Sequence, residues 1–327
     1  MRLKAVTVSI ALAATAYLVA VLWAGRADVV AAIGGIGLGT LAMVLGLSLT
    51  NYGLRFSRWH YYLHKLGCRL PMRADLLIYI GGFALTTTPG KAGELARTLW
   101  LQPYGVAPSR SIAVFFSERL QDFVAILLLC CLGLSWYPGG RWLLLAALGL
   151  PVAALVLLYL PGSARAMNRW SETNRQGQRS RMAVLVHRMT EILAHTRGCL
   201  TPVPLLIGLV IGIAAWSAEG WGFAILLVAL GHPLTLATAF SIYAFSMLTG
   251  AASFLPGGLG GSEAAMIVLL RLTGVPLGVA VSATLLIRLA TLWFAVLLGI
   301  IALSIRTKTS SIVPAAVTSS VVTEAAK

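Results

Sequence analysis

The chain has 327 residues, of which 58% are hydrophobic and only 11% charged, with a mean hydropathy of +0.87. That composition excludes an ordinary soluble domain and points to an all-α, polytopic integral membrane protein. The net charge of +15 would mark a soluble protein for nucleic acid. Here the lysines and arginines gather between apolar segments, where orientation and anionic headgroups account for them, so no nucleic-acid partner is expected. Cys68, Cys130, Cys131 and Cys199 show neither metal-ligand spacing nor a disulfide framework.

In chain order, residues 5–25 form an apolar run, read as a retained helix because it exceeds the core of a signal peptide. A second span covers roughly 29–54, with Gly35 and Gly39 at packing-motif spacing. Residues 55–73 mix Arg55, Arg58, Lys65, Arg69 and Arg73 with Trp59, Tyr61 and Tyr62, which predicts a helix at headgroup level. Apolar pieces at about 74–88 and 94–103 flank Thr88-Pro89-Gly90-Lys91-Ala92-Gly93-Glu94. Each is shorter than the ~20 residues of a crossing, so together they predict a re-entrant hairpin.

Spans at about 111–135 and 142–160 precede the arginine-rich stretch 161–200. Within it, Met182 to Ala194 has the spacing of an amphipathic surface helix. A span at 203–230, a second interrupted unit at 235–273 and a last span at 278–305 complete the membrane part. The tail 309–327 reads as disordered.

The second interruption is Pro256-Gly257-Gly258-Leu259-Gly260-Gly261-Ser262-Glu263. Proline lacks a donor and glycine leaves the backbone unrestrained, so a helix must break here. An unwound backbone at membrane depth is tolerated only inside protein or along a wet cavity, which makes both breaks candidate sites.

The two breaks also share a register. Gly105-Val106 and Gly274-Val275 follow Glu94 and Glu263 at one offset, and Arg119-Leu120 and Arg288-Leu289 at another. This predicts an internal repeat, about 29–135 and about 203–305, joined by 136–202 within one transmembrane domain, 1–308.

Basic residues set the orientation. With the N-terminus in the cytoplasm, that side receives Arg2, Lys4, the 55–73 and 161–200 clusters, Arg110, Arg306 and Lys308. The other side receives only Arg26 and Arg141. The hairpins then enter from opposite sides, as in the inverted repeats of secondary transporters. A crossing by 235–254 alone would instead put the C-terminus outside.

Glu94, Glu118, Asp122, Glu219 and Glu263 fall in or beside apolar segments, as do Lys91, Arg97, Arg119, Arg271 and Arg288. An ion at a helix centre costs roughly 2.5–3.5 kcal/mol even on the permissive scale, so internal pairing is expected. Glu118 and Asp122 flanking Arg119 read as packing bridges. Glu94 and Glu263 sit at helix starts beside broken backbone and Arg119 and Arg288 on the following span, positions that mark a substrate or ion pathway. No catalytic set emerges. The five histidines lie in basic surface stretches or a loop, the Gly-Gly-Ser-Glu run only loosely resembles a nucleophile elbow, and no Walker sequence supplies ATP chemistry.

With these motifs and Ser117-Glu118-Arg119 in place, the chain resembles the membrane region of the lysylphosphatidylglycerol synthase/flippase family. The resemblance covers most of residues 5–305. It implies paired re-entrant hairpins and translocation of lipids or lipid-linked groups, without the aminoacyl-transferase domain that some relatives carry. The expectation is a non-enzymatic lipid flippase of a bacterial or archaeal cytoplasmic membrane, using no ATP, metal or cofactor, with homo-oligomerisation open. An anionic headgroup would meet Arg119, Arg288, Lys91 or Arg97 and the backbone of Gly90, Gly258 and Gly260. Glu94 and Glu263 would hold the arginines, bind a cationic part of the headgroup or carry coupling protons. An intramembrane transferase and a non-transporting partner of an envelope-assembly enzyme are the alternatives.

Overall fold

A computed structural model describes residues 34–134, parts of 149–159, and 181–310. The first expected span and most of the tail lie outside the described residues, and the span at 142–160 is described only in pieces. All regular structure in the described residues is helical.

Helix α1 runs Leu38–Lys65. This corrects the expected helix at headgroup level, because residues 55–65 continue the helix that begins at Leu38. Its buried residues include Ser48, Asn51, Arg55, Arg58 and Tyr62, three or four apart, so one polar stripe faces the protein interior. Gly35 and Gly39 are exposed, and a Cβ on Gly39 would meet nothing within 4 Å. The close-packing pair is instead Gly208 and Gly212 on α6 (Pro202–Ala229), where a Cβ would strike Tyr62, Gln121 and Arg58.

The first interrupted unit starts with α2 (Met72–Gly81) and a 3-10 turn (Gly82–Leu85). Thr88 is extended before its proline (ψ 150°), a 3-10 segment covers Pro89–Ala96, and α3 (Arg97–Leu101) follows. The second starts with α7 (Leu236–Ala252), capped by Thr235. Leu255 is extended before Pro256 (ψ 152°), and α8 (Gly261–Leu272) follows the glycines. The two interrupted units share features of local geometry. Gly105 and Gly274 both take positive φ (75° and 87°), and Val106 and Val275 are both buried. Helices α4 (Pro108–Leu134) and α9 (Leu277–Arg288) start at the same remove from Glu94 and Glu263. Directly after Arg288, one π-helical turn (Leu289–Trp293) leads into α10 (Phe294–Ser310).

Packing is reciprocal. Helix α1 lies along α6, α2 packs on α10, and α7 packs on α4. The breaks meet between them, where a Cβ on Gly257 would lie 3.5 Å from the Thr87 Cα. The surface helix α5 (Arg181–Cys199) packs on α4 and leaves Leu185 and Met189 about half exposed. Two described helices are long and apolar enough to cross a membrane, α6 and the continuous run Leu277–Arg306. Helices α1 (28 residues) and α4 (27 residues) have crossing length but bury ion pairs.

Candidate functional site

The second break is held by a chain of contacts between helix starts and arginine. Three of its glycines take left-handed backbone, Gly257 at φ 64°, Gly258 at 71° and Gly260 at 85°. Glu263 reaches back along the first turn of α8 to accept from the Gly260 N–H (Oε2, 2.7 Å). Its other oxygen accepts from Arg288 Nε at 2.6 Å, and Arg288 Nη2 donates to the Gly257 carbonyl at 2.9 Å. Arg288 thus closes the break from the following helix. The π turn next to it exposes the Thr291 carbonyl to the Tyr52 hydroxyl.

The first break is wired differently. Thr88 Oγ1 accepts from the Gly93 N–H (2.6 Å) and donates to the Leu85 carbonyl (2.8 Å). Glu94 accepts from Thr86 (3.1 Å) and pairs with Arg97 three residues on, at 3.3 Å. Arg97 lies in an aromatic box, 4.2 Å from the Tyr79 ring centre and 5.4 Å from that of Trp59. It lines neither of the two chambers described below.

Arg119 is paired elsewhere. Asp122 Oδ2 faces Arg119 Nη2 at 3.2 Å and Arg55 Nη2 at 3.5 Å, while Asp122 Oδ1 accepts from Arg58 Nη2 at 2.6 Å. Glu118 faces Arg58 Nε at 3.6 Å rather than Arg119. The expected packing bridge around Arg119 therefore exists for Asp122, with Arg55 and Arg58 added. Arg271 leaves the buried set: it is exposed and donates to the Val275 carbonyl at its own helix end. Five arginines (55, 58, 97, 119 and 288) now stand against Glu94, Glu118, Asp122, Glu219 and Glu263. These ten described charges balance one another as a set, which lowers the cost of burying them. A separate buried carboxylate, Asp75, accepts from Trp59 Nε1 (3.0 Å) and faces His60 Nδ1 (2.6 Å), so His60 is not a bare surface histidine.

Two adjoining chambers open among these groups. The larger, about 330 Å³, is walled by Arg119, Asp122, Trp216, Met247, Arg288 and the backbone of Gly257 and Gly258. The smaller, about 60 Å³, is lined by Tyr52, Arg55, Thr86, Glu94, Glu219, Tyr243 and Arg288 among others. Trp216 and Arg288 belong to both. On the large chamber, Arg119 Nη2 faces Asp122 Oδ2 at 3.2 Å while its buried Nε makes no hydrogen bond among the described residues, and Arg288 Nη1 faces the Met247 sulfur at 3.9 Å.

The structure thus brings Arg119, Arg288 and Gly258 to one wall system, with Glu263 behind Arg288 and Glu94 in the side chamber. Gly260 serves the cap of α8, and its Cβ direction meets only Leu255 at 3.7 Å. Gly90 and Lys91 run in the 3-10 segment of the first break, and their side-chain positions lie outside the described residues. Sequence reasoning missed Arg55, Arg58, Trp216 and Tyr243. The signal for the first two was the polar stripe of α1, which continues past residue 54 without a change of phase.

The family profile described as "Lysylphosphatidylglycerol synthase TM region" matches residues 6–299. Two similar proteins are each named "UPF0104 membrane protein" and come from Methanothermobacter thermautotrophicus. One is 26% identical over 308 residues, covering 86% of this chain and 87% of the relative. The other is 25% identical over 240 residues, covering 67% of this chain and 70% of the relative. With a match across nearly its whole length and a helical fold around paired broken helices, this membrane protein belongs to the lysylphosphatidylglycerol synthase transmembrane-region family.

Proposed function

We propose that the chain is a lipid flippase that moves an anionic or lipid-linked headgroup across the cytoplasmic membrane without ATP. The observation that carries this reading is the larger chamber, where the arginines repeated in the two halves, Arg119 and Arg288, face one space beside an unwound backbone. Its volume of about 330 Å³ lies in the range of roughly 300–1,000 Å³ typical of small-molecule sites. Arg119 is paired on one side only, with Asp122 at 3.2 Å, and a phosphate accepts planar guanidinium donors in pairs. Half-buried backbone of Gly257 and Gly258 lines the chamber without a side chain between it and a headgroup. In this reading the halves are inverted in the membrane, the N-terminus is cytoplasmic, and each break is the tip of a re-entrant hairpin. The reciprocal packing of α2 on α10 and α7 on α4 supports it.

Reconstitution into liposomes with headgroup-labelled lipids tests the proposal. Protein-dependent movement of anionic lipid between leaflets is the expected result. A modified lipid product would establish the transferase reading instead, and neither movement nor product would leave a partner role.

A further inference from the structure

We propose that the end of α1 carries a divalent transition-metal site, with His60 and His64 as its protein ligands and Asp75 as the residue that positions His60. The site shares no lining residue with either chamber and does not depend on the headgroup reading.

The placement starts in the sequence. His60 and His64 are four apart on a continuous helix, so their side chains stand one turn apart on one face. Their ring centres are 6.3 Å apart, and both rings line an open cavity of about 680 Å³ that Met72, at the start of α2, also lines. With Zn–N bonds of about 2.0–2.1 Å, two imidazoles on one tetrahedral ion have ring centres about 5 Å apart, so one ring has to swing in by about 1 Å. His64 is exposed and has the room to do so.

His60 is held in place. Its Nδ1 faces Asp75 Oδ2 at 2.6 Å, while Asp75 Oδ1 accepts from Trp59 Nε1 at 3.0 Å. Asp75 lies fully buried in the first turn of α2, and Trp59 is buried beside it. An ionised carboxylate only accepts, so Nδ1 carries the ring proton and Nε2 keeps its lone pair, on the side of the ring away from Asp75. A carboxylate behind a histidine in this way fixes the tautomer, orients the ring and makes it a better ligand, as it does behind metal-bound imidazoles. A simple bridge between α1 and α2 would account for Asp75 and Trp59. It would not account for a second imidazole one turn on, over the same cavity.

The ligand type selects the ion. Imidazole nitrogen suits Zn²⁺, Cu²⁺ or Ni²⁺, and not the oxygen-seeking Mg²⁺ or Ca²⁺. His64 lies in the last turn of α1, where the helix dipole favours a cation and offsets part of the repulsion from Lys65 in the same cavity. Among the described residues no group of three His, Cys, Asp or Glu side chains is placed to hold a metal. Water therefore completes the shell, and the ion is exchangeable, unlike one in a closed four-ligand structural site.

The test titrates the detergent-solubilised full chain, purified without a histidine tag, with Zn²⁺. Calorimetry is expected to show one saturable site per chain, and none for Mg²⁺. With one equivalent of Cu²⁺ in place of Zn²⁺, pulsed electron paramagnetic resonance is expected to count two imidazole nitrogens. His64→Gln, at an exposed position, is expected to remove the saturable site and one of the two nitrogens. Asp75→Asn keeps an oxygen for Trp59 but offers His60 an N–H, which moves the ring proton to Nε2. It is expected to weaken Zn²⁺ binding by about 10–100-fold with an unchanged circular dichroism spectrum. His187→Gln on α5, whose histidine faces Glu191 at 3.4 Å, is expected to change nothing. Absence of a saturable Zn²⁺ site, or a site that survives His64→Gln, overturns the proposal. Full affinity in folded Asp75→Asn overturns the positioning role, and if that variant does not fold, the nitrogen count and His64→Gln decide the site.

Discussion

Replacing Arg288 with methionine removes the group that ties the second break to the following helix. Glu263 would keep the Gly260 N–H (2.7 Å) and the Ser262 hydroxyl (3.0 Å), but would lose its ion pair with Arg288 at 2.6 Å. Breaking a buried pair from one side costs about 3–5 kcal/mol, because an uncompensated charge stays behind. The Glu263 side chain is 12% exposed and retains local donors, which places the cost near the low end, about 3 kcal/mol. Glu263→Gln instead takes from Arg288, which is 5% exposed, the carboxylate at 2.6 Å and leaves it the Gly257 carbonyl. The double variant buries no ion of this pair. It is therefore expected to be more stable than the sum of the singles by about 2 kcal/mol, within the range for contacting residues. Reversible unfolding in mixed detergent micelles, followed by far-UV circular dichroism, gives all four free energies. Additivity to within about 0.5 kcal/mol would show that the two residues do not form the pair and would undo this account of the second break.

Further outcomes follow from the same contacts. Gly258→Ala combines a φ of 71° with a Cβ about 3.1 Å from the Gly250 backbone, so it should lower stability by more than the ~1–2 kcal/mol of left-handed strain alone. Gly260→Ala meets only an ordinary contact with Leu255 at 3.7 Å and should cost little beyond its backbone strain, so any loss of transport beyond the loss of folded protein locates function at the break. Gly39→Ala should leave stability unchanged in the same unfolding assay, whereas Gly212→Leu should part α6 from Arg58 and lower the yield of folded protein. Single cysteines near Gly90 and near Gly258 should react with membrane-impermeant reagents from opposite sides; labelling of both from one side would refute the inverted arrangement.

Much of the fold was legible because its signals are local. Prolines and glycines break helices wherever they stand, and both breaks appear where Thr88-Pro89 and Leu255-Pro256 place them. The Gly-Val pairs returned as matched turns for the same reason. What was not legible is tertiary. Arg55 and Arg58 beside Trp59 and Tyr62 carry the composition of a headgroup-level helix. Only the carboxylates of α4, more than sixty positions away in Asp122 (|i−j| = 64 from Arg58), turn them inward. The repeated motif likewise fixed the positions of Glu94 and Arg119 but not their partners. The second half pairs its glutamate with the arginine of the next helix, and the first half pairs each with a neighbour three residues along. Small residues misled in one place: Gly35 and Gly39 have packing spacing but face outward, and only the neighbours of Gly208 and Gly212 distinguish the real contact.

The most direct test of the central claim is the rate of anionic-lipid movement in proteoliposomes containing Arg119→Gln. This variant suits the purpose because Asp122 keeps Arg58 at 2.6 Å, so the fold does not depend on Arg119 for neutralisation. The account predicts folded, membrane-inserted protein at wild-type level with headgroup movement reduced at least about tenfold, the loss of roughly one charge-assisted contact. Movement at the wild-type rate would contradict the assignment of the large chamber as the headgroup path.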